Sequence, residues 1–195
     1  QRISETGVKA QYIVPAGCTR GRHRILYLHG GAWCAGQADD YQAIGAVLAR
    51  ECDAPVLMLE YRLAPEHPFP QGLEDCLAGY DWLLHNGPSG PDPVQQAIIA
   101  GDSAGGNLAM AVTISRIQKS LPPPLRLAIL SGLVGFEPRT SEARNDPFAS
   151  ADALAAMVAT YTGGGTTVAD PLLNPFVVPD AILAQFQPPH FLLFY

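Results

Sequence analysis

Gln96-Ala97-Ile98-Ile99-Ala100-Gly101-Asp102-Ser103-Ala104-Gly105-Gly106-Asn107 runs from an apolar stretch, through a serine flanked by glycines, into a segment of helical pattern. The order reads as strand, sharp turn and helix, the setting of a nucleophilic serine held at the tip of a bend. Such a serine sits in a strained backbone conformation, so the residues two before and two after it must be nearly free of side chain. Here they are Gly101 and Gly105. Upstream, the run Arg24-Ile25-Leu26-Tyr27-Leu28 closes on His29-Gly30-Gly31-Ala32-Trp33. Glycines at that point leave backbone N–H groups unobstructed for a developing oxyanion. Together the two motifs predict acyl transfer by Ser103.

Two other uses of a glycine turn fail on the same residues. A phosphate can sit at a helix N-terminus, but a Walker-type loop wants Lys-Ser or Lys-Thr after its last glycine. Asn107-Leu108 stands there. Dinucleotide binding needs G-x-G-x-x-G after the first strand, and the sequence has none.

With 195 residues, 48% hydrophobic and 15% charged, the chain fits one domain of ordinary size with ample material for a core. A net charge of −6 with few, scattered Lys and Arg residues argues against nucleic acid and anionic membrane surfaces as partners. No run approaches the ~20 apolar residues of a membrane span. The residues Gln1 to Gly7 contain no signal-peptide core, and a cytoplasmic setting is expected. Cys18, Cys34, Cys52 and Cys76 are widely spaced, with neither a C-x-x-C pair nor clustered histidines beside them. They read as free thiols, not as metal ligands.

Runs rich in β-branched and aromatic residues alternate with longer segments of helical period, which predicts an α/β fold with a mostly parallel central sheet flanked by helices. Strands are expected over 8–14, 24–29, 55–60, 96–100, 125–131 and 190–194. Helices are expected over 40–52, 71–85, 104–119, 150–161 and 179–185. Loops fall at 87–93, 122–124 and 163–165, where Pro and Gly concentrate. No repeat or long linker divides the chain, so 1–195 reads as a single domain. The last apolar run, Phe191-Leu192-Leu193-Phe194-Tyr195, has nothing behind it to cover it, and strand material begins within the first dozen residues. Both ends lead us to expect a fragment of a longer chain.

HGGAW at 29–33, YRLAPEHPFP at 61–70 and GDSAGGN at 101–107, in this order, resemble the hormone-sensitive-lipase-like branch (family IV) of the α/β-hydrolase esterases. Asp170-Pro171 and Pro188-Pro189 fall where that family has similar pairs. The resemblance implies a serine carboxylesterase acting on short to medium acyl esters, with no metal or organic cofactor. Carried over by position, Ser103 is the nucleophile and the N–H groups of Gly30, Gly31 and Ala104 form the oxyanion hole. The family's acid and histidine follow the strand that here comes last, and its N-terminal helices cover the acyl pocket. The resemblance therefore implies that both triad partners lie outside these residues, and that the chain as given hydrolyses little. It implies a small-molecule ester as partner and leaves a homodimer open.

A serine hydroxyl needs a base to take its proton. None of the five histidines fits well. His190 opens its strand and so belongs at the sheet edge opposite the nucleophile, since such sites collect at the C-terminal edge. His29 reads as a brace for the glycine turn, His67 and His85 as structural, His23 as a loop residue. Asp146, Asp152, Asp170 and Asp180 have the positions of caps and turns, and Glu137 lies near the right edge without a histidine to orient. Asp102 points away from its neighbour Ser103 and reads as a loop tether. Trp33 and Tyr61 read as wall packing, and Arg62 with Glu66 as a local ion pair. Two further functions remain open: a small-ligand binder on the same scaffold, or an amidase or formamidase.

Overall fold

The computed structural model describes residues 3, 7–18, 23–133, 150–165, 169–186 and 191–194. In chain order these form β1 (Lys9–Ile13), β2 (Ile25–Leu28), α1 (Gln42–Cys52), β3 (Val56–Glu60), α2 (Gln71–His85) and a hairpin of β4 (Asn86–Gly87) with β5 (Gly90–Pro91). There follow β6 (Ile98–Asp102), α3 (Ser103–Gln118), β7 (Arg126–Leu130), α4 (Ala151–Thr162), α5 (Asp180–Leu183) and β8 (Phe191–Phe194).

Alternation along the strands sets the layering, because successive side chains of a strand point to opposite faces. Leu26, Leu28, Leu57, Leu59, Ile99, Leu127 and Ile129 all join one core, with residues of α2 and α3. Their strand neighbours Ile25, Tyr27, Val56, Met58 and Ala100 join a second core with Ala49 of α1. The sheet is thus covered on both faces, as buried parallel strands require. Its order is β1-β3-β2-β6-β7-β8, parallel throughout except for β1, which runs antiparallel to β3. The mostly parallel α/β architecture read from the sequence is the one observed.

The central helix α3 is buried on every side from Ala104 to Ile117, consistent with its lack of a polar stripe. Element ends follow local chemistry. Ser150 caps α4 by accepting from the Ala153 N–H at 3.2 Å, and Gly163 ends it at φ 64°. Two differences from the sequence reading have physical causes. The expected helix over 40–52 begins as a 3-10 turn at Ala38–Tyr41, tied down where the Ala38 N–H donates to Glu60 at 2.7 Å. The expected loop over 87–93 contains the β4–β5 hairpin, turned at Pro88-Ser89, with Gly90 at φ 127° opening β5. His190, Glu137, Asp146 and the pair Pro188-Pro189 lie outside the described residues.

Beside that hairpin lies a charge that has left water. Arg24, with a fully buried side chain, donates to the Leu83 carbonyl at 3.0 Å and to Asp92, whose own side chain is 62% exposed. The exposed partner is the one whose loss strands a buried cation. Asp92→Ala should therefore destabilise the fold by about 3 kcal/mol, measured by urea unfolding. The double variant Arg24→Met/Asp92→Ala should recover part of that loss, and equal stabilities of Asp92→Ala and the unaltered protein would contradict this account.

Candidate active site

At the junction of β6 and α3 the chain reverses within one residue. Asp102 still has extended backbone at φ −110°, while Ser103, first residue of α3, sits at φ 49° in the left-handed region. A non-glycine residue there is strained, and the surroundings hold it. The Leu133 N–H, from the segment after β7, donates to the Ser103 carbonyl at 3.0 Å. Asn107, buried one turn along α3, fixes that segment by donating from Nδ2 to the carbonyls of Leu133 and Leu173, both at 3.0 Å. Glycine is required on both sides. A Cβ on Gly101 would lie 2.4 Å from the Gly105 carbonyl oxygen, and one on Gly105 would lie 2.0 Å from that of Leu28. The side chain of Ser103 is left half-buried at the C-terminal edge of the parallel strands.

The loop after β2 faces this bend. Gly31, Ala32 and Trp33 take φ values of 115°, 53° and 61°, a run of left-handed backbone that folds the chain back on itself. The turn closes where the N–H groups of Cys34 and Ala35 donate to the Gly31 carbonyl at 3.0 and 2.9 Å. Aromatic packing clamps it from two sides. Trp33 stacks on Tyr161 of α4 at 4.6 Å, and His29 stacks on Tyr61 at 4.4 Å. Tyr61 also donates to the His29 carbonyl at 2.6 Å, and burial raises its pKa well above the usual tyrosine value. It therefore remains a donor.

The four residues that the sequence singles out come together at this edge, but their backbone groups are not equivalent. The Gly30 N–H donates to Asp102 Oδ1 at 2.9 Å, so that group is already committed. No acceptor for the N–H groups of Gly31 and Ala32 is found among the described residues. Ala104 is the second residue of α3, in the first turn, where N–H groups have no partner within the helix.

The histidines are spread over the molecule. His29 is buried, with Nδ1 2.7 Å from the Gly30 carbonyl oxygen and Nε2 without a partner among the described residues. It braces the turn. His67 Nδ1 lies 3.1 Å from Gln71 Oε1, His85 Nδ1 2.8 Å from the Asp81 carbonyl, and His23 is exposed. Of the acids, Asp170 builds a turn by accepting from the Leu172 N–H at 2.8 Å, while Asp152 and Asp180 are exposed in first helical turns. The Arg62–Glu66 pair suggested by the sequence is not formed. Arg62 forks instead onto Asp75, with Nε and Nη2 each 2.8 Å from a carboxylate oxygen, and its N–H donates to the same group at 2.9 Å. Asp75 has a fully buried side chain that needs such a bidentate partner, whereas Glu66 is exposed and solvated. Among the described residues no group of His, Cys, Asp or Glu could hold a metal ion, and no helix is long and apolar enough to cross a membrane.

The model of the alpha/beta hydrolase fold family matches residues 25–193. The chain belongs to this family. Within the family it is hormone-sensitive-lipase-like. Esterase LipU of Mycobacterium tuberculosis is 36% identical over 160 residues, covering 78% of this chain and 52% of LipU. A crystal structure of an esterase from the bacterial hormone-sensitive lipase family is 36% identical, with a TM-score of 0.75, covering 87% of this chain and 56% of that one. The structure of carboxyl esterase 2 from the fungus Tuber melanosporum superimposes with a TM-score of 0.83 at 28% identity, covering 96% of this chain and 62% of that one. The chain thus spans about half to three-fifths of the length of these relatives.

Sequence reasoning missed the supports of the bend. Leu133 acts through its backbone, and Asn107 reaches residues 26 and 66 positions away, so no local pattern reveals either. Ser131, one residue past β7, also has left-handed backbone at φ 46°, next to Leu130, which pairs with Asp102. Because Ser103 is strained, Ser103→Gly should stabilise the fold by about 1 kcal/mol, read as a higher midpoint in urea. A midpoint unchanged or lowered would mean that the bend carries no strain.

Proposed function

We propose that Ser103 is the nucleophile of a carboxylic ester hydrolase that takes short to medium acyl esters, and that the N–H groups of Gly31 and Ala104 receive the oxyanion. The observation that carries this reading is the strained serine at the strand–helix junction, opposite a glycine turn with uncommitted amides. Gly30 enters as the residue that lets the turn approach, its own N–H being given to Asp102.

On this reading the chemistry is acyl transfer through Ser103. The Ser103 hydroxyl gives its proton to an imidazole base as Oγ bonds to the ester carbonyl carbon. The carbonyl oxygen takes the electron pair and lies against the amides. Collapse expels the alcohol, which leaves with the base's proton, and water then releases the acid from the acyl-enzyme by the same steps. His29 is not that base, because its Nδ1 is engaged with Gly30 and its ring is buried under Tyr61. The names of LipU and carboxyl esterase 2 support ester substrates.

The test is turnover of a panel of p-nitrophenyl acyl esters and the matching anilides by the full-length protein. Hydrolysis of the esters without the anilides is expected, and Ser103→Ala should lower it by about ten-thousand-fold. Retained turnover in Ser103→Ala would remove the serine mechanism, and preferential cleavage of anilides would make the protein an amidase.

A further inference from the structure

We infer that Asp102 is a positioning residue for this reaction: its carboxylate, fixed by Tyr27, sets the distance between the oxyanion turn and the nucleophile. The inference rests on the reading of Ser103 as the nucleophile. Three parts of the chain meet on one oxygen atom. Asp102 Oδ1 accepts from the Tyr27 hydroxyl at 2.7 Å and from the Gly30 N–H at 2.9 Å. Tyr27 belongs to β2, Gly30 to the turn, and Asp102 directly precedes Ser103.

The spacing along the chain gives this atom its leverage. Gly30 and Gly31 are consecutive, as are Asp102 and Ser103, so one hydrogen bond links the residue before the oxyanion donor to the residue before the nucleophile. The approach admits no larger residue at position 30, where a Cβ would lie 2.3 Å from Asp102 Oδ2. A second bond completes the orientation. The Gly30 carbonyl lies 2.7 Å from His29 Nδ1, and in a trans peptide the C=O and the following N–H point in opposite directions. Pinning the Gly30 oxygen therefore aims the Gly31 N–H away from His29. Asp102 and His29 hold residue 30 at its two ends, and an error of about 1 Å in such an arrangement can cost 100-fold in rate.

A carboxylate beside a developing oxyanion would oppose it electrostatically if its charge were bare. Both donors direct their positive ends at Oδ1 and disperse that charge. Tyr27 is a dependable donor: burial, and next its bond to Asp102, push its pKa far above the ordinary tyrosine value. The role differs from that of a triad acid, which would present its oxygen to an imidazole. Here His29 Nδ1 faces the Gly30 carbonyl and not Asp102.

The experiment measures the second-order rate of fluorophosphonate labelling at Ser103, together with kcat and KM for p-nitrophenyl butyrate, in the full-length protein, unaltered and as Asp102→Ala, Asp102→Asn and Tyr27→Phe. Thermal unfolding of each variant fixes the folded fraction. Asp102→Ala should lower labelling and kcat by about 10- to 100-fold with KM changed far less. Asp102→Asn keeps an oxygen acceptor for both donors and should restore most of the rate; Tyr27→Phe should fall between. Equal labelling of Asp102→Ala and the unaltered protein at equal folded fraction overturns the inference, as does an Asp102→Asn rate as low as that of Asp102→Ala. If the unaltered protein does not label, the reading of Ser103 as nucleophile falls and takes this inference with it.

Discussion

The active edge of this chain depends on a close approach of two backbones. The first turn of α3 lies against the end of β2 so tightly that the Cα of Gly105 leaves no room for a methyl group before the carbonyls of Leu28 and His29. A helix and a strand can meet at this distance only through residues without side chains. The contact places the N-terminal end of α3, with its unpaired N–H groups, at the strand edge from which the glycine turn departs. It also leaves Ser103 no relaxed path between strand and helix. The strain at the serine and the gathering of amides have one cause.

Around that contact the supports divide by chemistry. Apolar alternation in β2, β3, β6 and β7 builds the sheet and its two cores, and any sequence with the same pattern would give a similar platform. The site adds polar links that the pattern does not dictate. Asp102 joins the elbow to the turn, Asn107 joins α3 to two later segments, and Arg62 joins the segment after β3 to α2 through Asp75. Each uses a side chain that is buried or half-buried, so each hydrogen bond is made where water competes poorly.

This division explains what could be read in the sequence. The strands over 24–29, 55–60 and 96–100 and the helix over 71–85 were legible because a two-residue or 3.6-residue period is written in a single segment. The nucleophile was legible because Gly101 and Gly105 bracket it at fixed spacing. Gly30 reads as an oxyanion donor for the same local reason, and only the distance to Asp102 distinguishes its amide from that of Gly31. Sequence proximity points Arg62 to Glu66, whereas Asp75, thirteen positions away, is brought near by the start of α2. Long-range polar pairing leaves no periodic trace.

Asn107 ties the bend to Leu173, which is joined to the chain 66 residues later. In a chain synthesised from its N-terminus, domains fold as units once their parts are available. The nucleophile and its two flanking glycines leave the ribosome well before the segment that secures them. The bonds around the serine bend are therefore complete only when β2, α3, Leu133 and Leu173 are all present. Chemical competence in this sense belongs to the whole unit: a polypeptide cut before Leu173 would lack one of the ties that hold its reactive corner.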